Sequence, residues 1–123
     1  MQTLDICFKF ILDNDDAYFS GSDKLIVREW IKNNYRIYGD LSISDDFVVD
    51  CNCSVDIKNK SITSLTNGLF RWGRVGRDFY CYGCEKLTSL KGSPKEIGGK
   101  LRCSNCSSLN ISDSDYEKYR IVY

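Results

Sequence analysis

A segment of this chain repeats itself: Phe79-Tyr-Cys-Tyr-Gly-Cys-Glu-Lys-Leu-Thr-Ser-Leu90 returns as Leu101-Arg-Cys-Ser-Asn-Cys-Ser-Ser-Leu109. Cys81 to Cys103, Cys84 to Cys106 and Leu87 to Leu109 are each 22 residues apart. A fixed period of this kind points to stacked units, none of which can bury its apolar face alone. A third copy emerges upstream. Val55, Phe79 and Leu101 share one position, Ile57, Cys81 and Cys103 the next but one, and Lys60, Cys84 and Cys106 lie three further on. Ile62-Thr-Ser-Leu65 then matches Leu87-Thr-Ser-Leu90, and Val75-Gly-Arg-Asp-Phe79 matches Ile97-Gly-Gly-Lys-Leu101. The first copy is longer, with residues 69–74 where the second has Ser93-Pro-Lys-Glu. A strand of apolar-x-apolar, a turn, then apolar-x-x-apolar is the leucine-rich-repeat pattern, with Cys84 and Cys106 in its turn position.

The same cysteines carry a second reading. Cys81-x2-Cys84 and Cys103-x2-Cys106 have the spacing of a four-thiolate zinc ribbon. Against it, the third copy places Ile57 and Lys60 at the cysteine positions, and small buried thiols behave as hydrophobes in a core. Stacked strands also bring equivalent residues to about 4.8 Å without any metal. The expected cofactor is therefore none, with zinc on Cys81, Cys84, Cys103 and Cys106 as the alternative. Seven cysteines is an odd number, and the start of the chain lacks the basic region and cleavage site of a secretory signal, so free thiols in a reducing cytosol are expected. Cys7 reads as core, and Cys51 and Cys53 as packing positions on a strand.

Outside the repeat, Leu4 to Leu12 is rich in strand formers and reads as a first strand or a buried apolar segment. Ser22 or Asp23 is expected to cap a helix with Leu25, Ile26, Trp30 and Ile31 on its apolar side, ending near Asn33-Asn34. Period-two alternation in Leu41-Ser-Ile43 and from Val49 to Ile57 predicts short strands, with Asp45-Asp46 turning between them. The fold expected is α+β in a single domain. A strand and helix in 1–40 cap a β-rich leucine-rich-repeat-like stack in 41–112, and 113–123 cap the other end. No apolar run approaches the roughly 20 residues of a membrane span.

Chemistry is thinly represented. The chain has no histidine, which removes the commonest general base and nitrogen ligand. Asp13, Asp15, Asp16, Asp45 and Asp46 sit in polar turns, so no catalytic residue is assigned and an enzyme is not expected. The formal charge is zero but uneven: 1–56 carry net −6 and 68–102 net +5. Such a division steers a charged partner or holds the halves together.

In a repeat of this kind the residues alternating with the apolar ones form an extended binding face, here Asp56, Lys58, Tyr80, Tyr82, Arg102 and Ser104. Tyrosines beside an arginine are typical interface material. A second candidate is Phe70, Arg71, Trp72, Arg74 and Arg77, which either projects a Trp or Arg anchor or places Phe70 and Trp72 over the core. Aromatic and basic residues together also suit nucleic acid, but zero net charge and the lack of a recognisable module argue against it.

The run from Ile43 through Asp50-Cys-Asn-Cys-Ser-Val-Asp-Ile57 to Ile62-Thr-Ser-Leu65, followed by Leu87-Thr-Ser-Leu-Lys-Gly-Ser-Pro-Lys-Glu-Ile-Gly-Gly-Lys-Leu-Arg-Cys103, resembles short leucine-rich-repeat-like proteins of tailed bacteriophages and their prophages. The resemblance spans about 35–110. The chain departs from that pattern in having few units, in residues 69–74, and in Cys84 and Cys106 where Asn is typical. It implies a solenoid-like β fold and a phage origin, and no activity. The expected role is a stoichiometric binder or inhibitor of a host protein, such as a defence protein, in the host bacterial cytoplasm. The alternatives are a zinc-ribbon-type nucleic-acid binder and a structural component of the virion.

Overall fold

The computed structural model describes residues 16–123, and side chains from residue 23 onward. The strand expected over Leu4 to Leu12, together with Cys7, Asp13 and Asp15, lies outside the described residues. Helix α1 (Asp16–Asn34) starts earlier than the expected cap, so Ser22 and Asp23 lie within it. Its buried stripe is Val27, Ile31 and Asn34 with Trp30 packed beside them, the i, i+4, i+7 spacing of an amphipathic helix. Leu25 faces solvent. The helix ends at Asn34 because other groups take over there: the Asn34 carbonyl accepts from the Lys58 and Asn59 amides at 2.8 and 3.1 Å. Asn59 Nδ2 donates to Asn34 Oδ1 at 2.8 Å, so the helix terminus is tied to the following sheet.

Among the described residues, nine short strands form two mixed sheets: β1 (Tyr35–Ile37), β2 (Leu41–Ile43), β3 (Val48–Cys51), β4 (Val55–Ile57), β5 (Arg71–Val75), β6 (Phe79–Tyr80), β7 (Glu96–Ile97), β8 (Leu101–Arg102) and β9 (Ile121–Val122). One sheet runs β1-β4-β6-β8-β9 and the other β2-β3-β5-β7. The first pair of each sheet is antiparallel and every later pair parallel. The hairpin expected at Asp45-Asp46 joins β2 to β3, with Phe47 taking the left-handed conformation that closes it. The continuous alternation from Val49 to Ile57 is divided between the sheets. The chain leaves β3 after Cys51 and enters β4 at Val55, keeping Cys53 inward as it crosses. The same crossing recurs from β5 to β6 and from β7 to β8. Each repeat therefore gives one strand to each sheet.

Register follows the repeat: Val55 pairs with Phe79 and Phe79 with Leu101, while Val75 pairs with Ile97. The inward side chains of both sheets meet in one core. Val49, Cys51, Trp72 and Val75 come from one side and Val55, Ile57, Phe79, Cys81, Leu101 and Cys103 from the other. Ile62, Leu65, Leu87 and Leu90 close it from the connecting loops. Glycine is required where the chain crosses between sheets. A Cβ on Gly98 would collide with the Gly76 carbonyl, and one on Gly76 would come within 2.8 Å of Asn52 Cα.

Residues 69–74 are not an insertion projecting from the fold. They contain most of β5, which pairs parallel with β3 in the four-stranded sheet. This corrects the placement of Trp72 on a binding surface: the indole is buried, with ring centroids 5.3 Å from Tyr35, 5.3 Å from Phe70 and 6.1 Å from Phe79, all edge to face. So large an apolar ring gains more from this cluster than from solvent. At the far end, α2 (Asp113–Lys118) begins with a capping box between Ser112 and Asp115. It leads through buried Tyr119, whose hydroxyl donates to the Pro94 carbonyl, into β9 on the edge of β8. Among the described residues no helix is long and apolar enough to cross a membrane.

Candidate functional site

The outward side chains of the five-stranded sheet fall in register as a row: Arg36, Asp56, Tyr80, Arg102 and Val122. The alternation that buries Phe79 and Cys81 directs Tyr80 and Tyr82 outward, so these two positions follow directly from strand geometry. Their rings lie 5.6 Å apart between centroids, and the Arg102 guanidinium sits 5.9 Å from the Tyr80 ring centroid.

Asp78 organises this group. Its Oδ1 accepts from the Lys100 amide at 2.8 Å, and its Oδ2 accepts from Arg102 Nε at 2.9 Å and from the Tyr80 hydroxyl at 3.3 Å. The Lys100 amide first, and Arg102 second, hold the Asp78 carboxyl below the ordinary aspartate range. Desolvation and then the Asp78 charge push the Tyr80 phenol up. Asp78 escaped the sequence reading although counting back by two from Tyr80 places it on the same face.

A groove of about 760 Å³ runs beside the row, lined by Tyr38, Asp40, Asp56, Arg77, Tyr80 and Tyr82 among others. Asp56 pairs with Arg36 at 3.1 Å through Oδ2. Among the described residues, its buried Oδ1 has only the Lys60 ammonium at 4.0 Å and no hydrogen bond. Among the described residues, neither Asp40 nor Arg77 makes an ion pair. The groove thus presents three phenol rings, an unpaired carboxylate and an unpaired guanidinium.

The residues singled out from sequence separate into groups. Asp56, Arg77, Tyr80 and Tyr82 line the groove and Arg102 braces it, while Lys58 and Ser104 occupy the same sheet's outer side further along. Arg71 and Arg74 belong to the other sheet, where Arg74 pairs with Glu96 at 2.9 Å. Arg74 and Arg77 meet only at the crossing, around a second groove with Asn52, Asp78 and Gly98. Trp72 is core.

The zinc alternative is also changed. Cys81, Cys84 and Cys106 place all three sulfurs within 4.8 Å of one another, and Cys103 is not part of the set. Cys103 occupies the inward strand position after β8 and is committed to the core. Burial raises its thiol to about 11. The Cys81 thiol is pushed up, first by donating to Cys84 and then by burial. Cys84 is lowered to about 7, mainly by that hydrogen bond and then, after the opposing effect of burial, by the Lys60 ammonium. The four-thiolate ribbon is not formed.

No family model matches this chain, and neither a curated protein nor a solved structure shows significant similarity to it.

Proposed function

We propose that this chain is a non-enzymatic, phage-type protein-binding module, a short leucine-rich-repeat-like solenoid whose groove beside Tyr80 and Tyr82 holds a segment of a host protein, for example a defence protein, in the bacterial cytoplasm. The single observation carrying this reading is the braced Asp78–Arg102–Tyr80 group beside Tyr82. Its side chains are already held in place, so little side-chain freedom remains to be lost on binding. Tyrosine and arginine dominate the energetic centres of protein interfaces. The unpaired Asp40 and Arg77, and an Asp56 oxygen without a donor, suit a partner carrying both charges and backbone amides. Asp40, Asp56 and Asp78 would repel a phosphate backbone, which disfavours nucleic acid.

The test is a photo-crosslinking amino acid at position 82, in cells infected or transformed with the gene, followed by identification of the adduct. One discrete host protein is expected, captured by the wild-type face and lost in Tyr80→Ala and Arg102→Ala chains whose circular dichroism is unchanged. Recovery of virion proteins alone would replace the reading with a structural role in the particle. Recovery of nothing would remove the face as a binding site.

A further inference from the structure

A cluster of three thiols lies behind the binding face: Cys81 falls between Tyr80 and Tyr82, and Cys84 Sγ donates to the Tyr82 carbonyl at 3.7 Å. Cys81 continues β6 and is held by its amide donating to the Arg102 carbonyl at 2.6 Å. Gly83 and Asn105 both adopt left-handed backbone, with φ of 67° and 60°, just ahead of Cys84 and Cys106. The repeat thus builds the same turn twice, and both turns deliver a thiol toward Cys81. Cys81 and Cys106 sulfurs stand 3.8 Å apart. Thiolates about 2.3 Å from a zinc ion stand about 4 Å from one another, so the cluster needs only a small adjustment to enclose one ion.

Packing accounts for Cys81, whose counterpart in the first copy is Ile57; Cys84 is equally buried but its counterpart is not apolar, and Cys106 is only half-buried. The counterpart of Cys84 and Cys106 is Lys60, a half-exposed cation, so this position is not reserved for a hydrophobe. Lys60 is held over the cluster's first-copy side by donating to the Ile57 carbonyl at 2.7 Å. Three thiolates around zinc leave one net negative charge, and the nearest cation is the Lys60 ammonium, itself 4.0 Å from Asp56 Oδ1. Cys81 and Cys84 are fully buried and Cys106 half-buried, so an ion enters past Cys106.

We propose that Cys81, Cys84 and Cys106 bind one zinc ion as a three-thiolate site, with solvent or an exogenous ligand in the fourth position, Lys60 as the cationic neighbour and Cys103 excluded. Binding releases the thiol protons, and Cys106 gives up its hydrogen bond to the Cys81 carbonyl, now 2.7 Å, to turn toward the ion.

The experiment is calorimetric titration of the reduced full-length chain with zinc chloride, with cobalt(II) as a spectroscopic probe of thiolate ligation. One ion per chain is expected, with a thiolate-to-cobalt charge-transfer band. Cys103→Ser should bind as the wild type does. Cys106→Ser, at the half-buried position least able to disturb folding, should weaken zinc by more than tenfold with an unchanged circular dichroism spectrum. Lys60→Ala should weaken it by about tenfold, the scale of an outer-shell change. The proposal is overturned if the folded chain takes up no zinc, if binding requires Cys103, or if Cys106→Ser retains the wild-type affinity.

Discussion

At the scale of single residues, the core and the crossings set the tolerances. Trp72 touches three aromatic rings in the interior, so Trp72→Ala should cost about 3–5 kcal/mol in urea denaturation. Arg71, its exposed neighbour on β5, should change stability by no more than about 0.5 kcal/mol when replaced by alanine. A surface role for Trp72 predicts a loss as small as that of Arg71, so the pair discriminates. At the crossing, Gly98→Ala sets a methyl against the Gly76 carbonyl, and backbone cannot yield as a side chain can. The expected loss is about 1–3 kcal/mol by the same measurement, the range for overpacking. A stability equal to that of the wild type would mean that the two crossings are not in contact.

At the scale of elements, successive strands are joined by side chains as well as by backbone. Ser54 Oγ accepts from the Asp78 amide at 3.3 Å, and Asp78 in turn accepts from the Lys100 amide at 2.8 Å, so each crossing holds the next. Because the Asp78 carboxyl is lowered in the folded protein, its contribution is complete above the ordinary value of 3.8 and is lost as pH falls through the lowered one. Melting temperature should therefore drop in acid, and Asp78→Asn should be less stable at neutral pH but show a shallower acid decline. An unchanged acid limb would remove Asp78 from the linkage. These element-scale features differ in how far they can be read from sequence. The equivalence of Val55, Phe79 and Leu101 was legible because repeated sequence puts the same inward residue at the same place in each parallel strand, and it is the register observed. The division of Val49 to Ile57 between two sheets was not, since a strand that crosses while preserving inward alternation has the same period as one that continues. β5 was hidden for another reason: its extra length made it look like an insertion, and its inward residues Trp72 and Val75 are three apart because the register against β3 shifts between Val49 and Cys51.

At the scale of the whole molecule, the repeat leaves two open ends, and a parallel sheet edge offers unpaired amides and carbonyls to any passing strand. One end is covered by α1 and the antiparallel β1. The other depends on 113–123: the Leu101 amide donates to the Arg120 carbonyl at 2.8 Å and the Cys103 amide to the Val122 carbonyl at 2.9 Å. Tyr119 covers Pro94, and the Ser112–Asp115 capping box sets the start of the helix that brings them there. Three-thiol grouping was illegible from spacing for a related reason, because Cys103 and Cys106 look alike in sequence while one faces this end of the core and the other turns back to Cys81. A chain ending at residue 111 should therefore keep its three-copy repeat but expose the β8 edge together with Leu101 and Cys103. It is expected to elute from size exclusion, under reducing conditions, as dimers or larger species at concentrations where the full chain is monodisperse. Ser112→Ala in the full chain should show the milder form of the same defect, a loss of about 1 kcal/mol without association. If the shortened chain instead ran with the same mass per particle as the intact one and melted as cooperatively, β9 would be an appendage, and the β8 edge would need no cover.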